Sequence, residues 1–390
     1  MRKSFQLRIE KSVFGGDGLA SLDGKTVFVE NALPGEIVQA RFLSEKKDWS
    51  RAKTLKVITP SGARVEPRCR YYGRCGGCQY QHADYPQELR MKESQVREVL
   101  EKFAGIHDRV QSILHGKLDY GYRRSATFQV IREKKTKVHS LAYISKDNVT
   151  PLKVQSCDLL HPSLARVLKE VPRIGRDTKK ISFKVSQDGK VHSDEKEVFF
   201  PVTLSGQRLL VSSQAFFQNN WEVTELISHK IAEVVSRFRP QVFFDLYAGV
   251  GTFTFLCAKD VPKIICVEEN PHAMAALRMN REASGWLQVD VQEGRVERVF
   301  EKLWREAGVS DALIFLDPPR QGLDRKLAAF LADRVKAKAL VYVSCDPATL
   351  ARDLKIFLSA ENWKLEEIIP YDMFPRTKHV EAVAVLQANS

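Results

Sequence analysis

The sequence predicts an α/β protein whose C-terminal part is a parallel sheet wound with helices, behind an N-terminal β-barrel and a small central β-rich module. Two observations carry this. From about residue 214, apolar β-branched runs (VFFDLYA, KIICVEEN, DALIFLDPP, ALVYVSCDP) alternate with helical segments, the pattern of βαβ units. Before them lie short alternating runs punctuated by turn residues, the pattern of small antiparallel sheets.

Residues 1–58 read as a compact barrel of oligonucleotide-binding type. The runs FQLRIEKSVF, KTVFVENAL, EIVQARFLS and RAKTLKVIT alternate apolar and polar residues, with turns at Gly15–Gly18, Leu22–Lys25 and Pro34–Gly35. Residues 59–80 are a Pro/Gly/Arg stretch ending in a cysteine cluster. Residues 86–103 show helical spacing, with Leu89, Val96, Leu100 and Phe103 on one stripe. Strand-like runs such as SATFQVIRE, HSLAYIS, KISFKVSQ and LLVSS fill 120–213, interrupted by the helix HPSLARVLKEV. The resulting partition is a barrel over 1–58, a central module over 59–85 and 115–213, and a C-terminal domain over 86–114 and 214–390.

In the C-terminal domain a buried strand ending at Asp245 runs into Tyr247-Ala-Gly249-Val-Gly251 and then a helix. Two glycines let the backbone pass close to a ligand where a side chain would collide. The next strand ends in Glu268, whose carboxylate can accept both hydroxyls of a ribose. A dinucleotide fingerprint needs a third glycine, and Thr254 stands there, which turns the reading from NAD to S-adenosylmethionine in a Rossmann-like domain. Asp317-Pro-Pro-Arg-Gln-Gly322 and Val343-Ser-Cys345-Asp-Pro each follow a strand, at the sheet end where such folds bind ligands. Cysteine is commonly a small buried hydrophobe, which suits Cys257 and Cys266 but not Cys345, at the mouth of the sheet between Ser344 and Asp346-Pro347.

Lys and Arg outnumber Asp and Glu by 61 to 48, a net +13, of which about +11 falls within residues 1–150. This asymmetry suggests a platform for a polyanion, with RNA the natural candidate. No run approaches the roughly 20 apolar residues of a membrane span, and MRKSFQLRIE lacks the apolar core of a secretory signal. A cytoplasmic monomer with no membrane partner is the expectation. Seven cysteines without a secretory signal do not read as a disulfide framework.

The motifs DLYAGVGTF, DPPRQG, YVSCDPATLARD and FPRTKHVE occur in that order, after SQAFFQNN at 213–220 and the cysteines at 69–78 and 157. Together they resemble the RNA uridine-5 methyltransferases, with an N-terminal module similar to the TRAM domain. The resemblance implies methylation of carbon 5 of a uridine, in 23S ribosomal RNA or alternatively in transfer RNA. It implies Cys345 as the nucleophile that adds to carbon 6 and Glu381 as the base that removes the carbon 5 proton. It also implies Gln218, Tyr247, Glu268 and Asp317 as contacts of S-adenosylmethionine.

Cys69, Cys75, Cys78 and Cys157 read as four thiolate ligands, and on sulfur count alone zinc and an iron–sulfur cluster both fit. The resemblance implies a 4Fe–4S cluster in the central module. Two other functional readings stand beside the main one. A cytosine-5 RNA methyltransferase would carry a second cysteine near Asp317–Arg320, where this chain has none. A non-catalytic RNA-binding protein would have no need of Cys345 and Glu381.

Overall fold

In the computed structural model, residues 4–132, 139–308 and 310–389 are described. The N-terminal unit is a six-stranded sheet in the order Ser4–Arg8, Ile37–Glu45, Trp49–Thr59, Lys25–Glu30, Gly18–Leu22, Lys11–Ser12. Alternate residues Leu7, Ile9, Val27, Val29, Val38 and Ala40 point into its core, as the period of two requires. The central sheet runs Pro151–Lys153, His139–Ile144, Ser125–Arg132, Lys180–Val185, Val191–Ser193.

A hairpin, Phe199–Leu204 with Gln207–Ser212, follows it. Read from the sequence with the central module, this hairpin buries Phe200, Val202 and Val211 against Val250, Ala273 and Ala276 of the C-terminal domain. Asn280 fixes the contact, accepting from Leu210 N at 2.6 Å and donating to Val250 O at 2.9 Å.

The C-terminal sheet has eight strands in the order Val289–Glu293, Lys263–Glu268, Val242–Leu246, Ala312–Leu316, Ala339–Ser344, Glu381–Ala388, Trp363–Asp372, Leu114–His115. The first five are parallel. Val242–Leu246, Ala312–Leu316 and Ala339–Ser344 are buried along their whole length because helices cover both faces. Strand order reverses between Val242–Leu246 and Ala312–Leu316, which opens a crevice at their carboxyl ends. Glu381–Ala388 enters antiparallel beside Ala339–Ser344, so its first residue lies at that same end of the sheet.

The helix Tyr85–Ala104 covers one face, with Val96 and Leu100 in the same core as Leu340 and Leu354. Asp84 caps its start by accepting from Gln87 N at 2.8 Å, and Gly105, at φ 67°, ends it. The expected apolar stripe needs correction. Phe103 is 50% exposed, and the buried face includes Glu88, Lys92 and Gln95. Charged residues are tolerated there because they are paired: Lys92 Nζ lies 2.8 Å from Glu88 and 2.7 Å from Asp372. Among the described residues, no helix is long and apolar enough to cross a membrane.

Candidate active site

The carboxyl ends of the parallel strands open into a cavity of about 910 Å³. At one end the glycine loop shapes it. Gly251 sits at φ 82°, and a Cβ there would come within 2.6 Å of both Leu277 and Phe255, so only glycine fits. Space around Gly249 is open, and its N–H donates to Glu268 Oε2 at 2.8 Å. Glu268 Oε1 accepts from Glu269 N and Asn270 N at 3.0 and 2.7 Å. Three backbone donors thus hold this half-buried carboxylate at the strand tip, with lone pairs left for a ligand.

Asp245 is buried, accepts from Thr254 Oγ1 through Oδ2, and has no partner for Oδ1 among the described residues. Burial pushes its carboxyl up to about 7. Tyr247 takes the left-handed conformation, φ 71°, and donates to Glu297 at 2.8 Å. This end has the open glycine, an unspent carboxylate oxygen and a fixed acid that a nucleoside with a charged tail requires, and so it fits S-adenosylmethionine.

The other end gathers Gln218, Asp317, Arg320, Cys345, His379 and Glu381. Gln218 Nε2 lies 3.4 Å from Asp317 Oδ2. The register Ser344↔Ala382 brings the next pair, Cys345 and Glu381, to the rim together. Burial and the Glu381 charge push the Cys345 thiol up to about 12, against a downward pull from Arg320. Burial and Asp317 push Glu381 up to about 8, and burial with Asp245 pushes Asp317 up to about 7. Among the described residues, no cation outweighs the effect of burial to hold Cys345 as a thiolate. Activation has to come from proton transfer or from a bound positive charge.

All six residues expected at the cofactor and the uracil line this one cavity. Sequence reasoning assigned no role to Arg320 or His379, although both lie in the quoted motifs. Arg320 Nη2 stands 3.3–3.4 Å from the two ring nitrogens of His379. Burial and this guanidinium push His379 down to about 4, so the ring is neutral near pH 7. Reasoning along the chain also gave no role to the residues that hold the 373–380 loop. Arg376, at φ 67°, donates its N–H to Glu88 at 2.6 Å, its Nη1 to Ala83 O at 2.9 Å and its Nη2 to Asp119. Its carbonyl accepts from Gln79 N and Tyr80 N at 3.0 and 3.2 Å. Lys92 donates to Phe374 O at 3.1 Å and Tyr122 to Pro375 O at 3.0 Å. The loop that delivers Glu381 is thus pinned by the cysteine segment and the helix after it.

Cys69, Cys75, Cys78 and Cys157 line one second cavity of about 320 Å³. Among the described residues, no group of three or more His, Cys, Asp or Glu side chains is placed to hold a metal ion. The four residues line the cavity instead, and burial pushes every thiol up, Cys157 to about 11. The buried Tyr143 hydroxyl borders the same space beside the Cys157 thiol. Cys257 and Cys266 are core residues, donating to Ser228 O and meeting Thr254 Oγ1 respectively, each at 3.2 Å.

A cleft at the switch point of a parallel sheet, with a glycine loop, a strand-end acid and a cysteine opposite a glutamate, defines a methyltransferase of the S-adenosylmethionine-dependent α/β class. The comparisons specify it further. The tRNA (uracil-5-)-methyltransferase family profile matches residues 186–389 and the TRAM domain matches residues 3–46. The chain belongs to that family and is an RNA (uracil-5-)-methyltransferase. It is 29% identical to an uncharacterized RNA methyltransferase of Treponema denticola, covering 98% of this chain and 99% of the relative. One from Aquifex aeolicus is also 29% identical, with 99% of each chain covered. The crystal structure of Pyrococcus abyssi tRNA (uracil-54, C5)-methyltransferase in complex with S-adenosyl-L-homocysteine shares the fold. Its TM-score is 0.70 at 22% identity, covering 97% of this chain and 99% of that one.

Proposed function

We propose that the enzyme methylates carbon 5 of a uridine in RNA through a covalent bond between Cys345 and carbon 6. The observation that carries this reading is the antiparallel register that sets Cys345 beside Glu381 at the cleft rim. S-adenosylmethionine supplies an electrophilic methyl group on a sulfonium, and Glu268, Tyr247, Gln218 and Asp317 hold it. Cys345 passes its proton to solvent and its sulfur bonds to carbon 6, moving the ring electrons toward oxygen 4 as an enolate. Carbon 5 then takes the methyl group as the carbon–sulfur bond of the donor breaks and leaves a neutral thioether. Glu381 accepts the carbon 5 proton, the 5,6 double bond re-forms, and the sulfur of Cys345 leaves. Burial raises Glu381 to about 8, which makes its ionised form a stronger base than an ordinary carboxylate for that last step.

The target in this reading is ribosomal RNA. Transfer RNA is the second reading, favoured by the likeness to the Pyrococcus abyssi enzyme. The cysteine cavity is read as the seat of a 4Fe–4S cluster on Cys69, Cys75, Cys78 and Cys157. A cluster is wider than one ion, which suits sulfurs arranged around a cavity, and it would tie residues 69–78 to the segment at 157 as a structural clamp. The experiment is transfer of labelled methyl groups from S-adenosylmethionine to total RNA, followed by nucleoside analysis and fragment mapping. Label in 5-methyluridine of ribosomal RNA is expected. Label in another nucleoside overturns the reaction, and label in transfer RNA alone overturns the target.

A further inference from the structure

The cysteine cavity and the catalytic cleft share a wall, bordered on both sides by Gly76, Gly77 and Arg123. Arg123 is held firmly up to its Nε. Its N–H donates to Leu159 O at 2.9 Å and its carbonyl accepts from His161 N at 2.8 Å. Its Nε donates to Ser125 O at 3.1 Å. Among the described residues, its two terminal nitrogens have no hydrogen-bond or carboxylate partner. The charge reaches both compartments, pulling down the thiols of Cys75 and Cys157 on one side and the His379 ring on the other.

The other two guanidinium groups lining the cleft are engaged. Arg295 stands 3.5 Å from Glu297 and 3.9 Å from Glu269, and Arg320 lies against His379. Among the described residues Arg123 differs from both in standing against no carboxylate or imidazole, with its Nε fixed on a backbone carbonyl. Its neighbours in the wall, Gly76 and Gly77, add no side chain that would block an approaching ligand. Gly76 itself is pressed against the central sheet, where an added Cβ would come within 3.2 Å of Ile144 O and Ser145 O. The rest of the cleft is lined by Asp245, Glu268, Asp317 and Glu381, none of which attracts an anion. A polyanionic substrate reaching Cys345 needs a cationic edge, and this wall supplies it.

We propose that Arg123 is a phosphate-binding residue that holds the RNA backbone beside the target nucleotide. A planar guanidinium fixed at Nε, with two outward donors, matches two oxygens of a phosphodiester. The inference rests on the reading of the substrate as RNA. It also gives the cysteine module a part in substrate binding, because the loop at Cys75–Cys78 forms the other half of the same wall.

The test compares wild type, Arg123→Gln and Arg123→Lys. Affinity for a methylatable RNA is measured at several salt concentrations, beside S-adenosylmethionine affinity and cluster content. With Arg123→Gln, RNA affinity should fall about tenfold and the log–log salt slope should become less negative by about 0.7, one phosphate on a single strand. Arg123→Lys should restore the slope and only part of the affinity, since charge is kept and the fork is lost. Cofactor affinity should hold in both. An unchanged slope in Arg123→Gln overturns the assignment. So does loss of cluster or cofactor binding in step with RNA binding, which would mark Arg123 as structural. A wild type that transfers no methyl to RNA would instead overturn the substrate reading on which the inference rests.

Discussion

The two ends of the cleft are built by different means. The cofactor end comes from two short segments, each a strand tip with its following loop: Asp245–Gly251 and Val267–Asn270. Its hydrogen bonds join near neighbours in the fold, such as Gly249 N to Glu268 at 2.8 Å. The substrate end is assembled from parts up to about 300 residues apart in the chain. Gln79 accepts from Lys378 N, Glu88 accepts from Arg376 N, and Lys92 pairs with Asp372. A parallel sheet supplies a cofactor crevice by topology alone, whereas the uracil pocket has to be imposed by buried ion pairs between distant segments. Damage should therefore separate: changes at the nucleophile cost chemistry, and changes in the ion-pair network cost stability.

The largest expected effect is at Cys345. Cys345→Ala should lower methyl transfer at least about 10³-fold, because no other group on the rim can form the bond to carbon 6. S-adenosylmethionine affinity by calorimetry should not change. Retained turnover would move the nucleophile elsewhere. Glu381→Gln should slow turnover about 10²–10⁴-fold while bond formation and methyl transfer proceed. Protein–RNA adduct that survives a denaturing gel should accumulate, and normal turnover without adduct would assign the base to another residue.

Next in size is the network. Lys92→Met takes the cation from buried Asp372 and leaves Glu88 to Arg376, and should cost about 3–5 kcal/mol in denaturant unfolding. Lys92→Met combined with Asp372→Asn should recover part of that loss, since one uncompensated charge is gone. Additive losses in the double variant would show that the pair does not interact.

The smallest effect concerns protons. Asp317 and Glu381 are raised to about 7 and about 8, so both hold protons at pH values where ordinary carboxyls have released them. A sulfonium beside them lowers both and expels protons, which makes its binding tighter as pH rises. S-adenosylhomocysteine is neutral at sulfur and lacks this effect. The ratio of S-adenosylmethionine to S-adenosylhomocysteine affinity should rise between about pH 6 and 9. A flat ratio in calorimetric titrations would show that these carboxyls do not face the sulfonium.

The same contrast explains what was legible in the sequence. The parallel strands announce themselves as apolar runs, and the glycine loop, Asp317 and Cys345 follow them directly. The neighbourhood of Cys345 and Glu381 depends on an antiparallel register, Ser344↔Ala382, that no local pattern encodes. Helix Tyr85–Ala104 shows the limit of periodicity. Phe103 fits an apolar stripe yet is exposed, and Lys92 is buried because its partner Asp372 lies 280 residues away. The cysteine spacing pointed to four ligands, and the four do share one cavity, yet their side chains are not drawn together as a ready metal set. Arg123 has no signature at all, since only the meeting of two cavities singles it out.

The most direct test of the account is the covalent bond itself. RNA carrying 5-fluorouridine at the target position cannot lose a proton from carbon 5 after methylation, so the enzyme should stop with substrate attached. Intact mass spectrometry with S-adenosylmethionine present should give protein plus RNA plus one methyl group. Peptide mapping should place the bond on Cys345, and Cys345→Ala should give no adduct. An adduct on another residue, or active enzyme that releases the fluorinated RNA unattached, would contradict the mechanism.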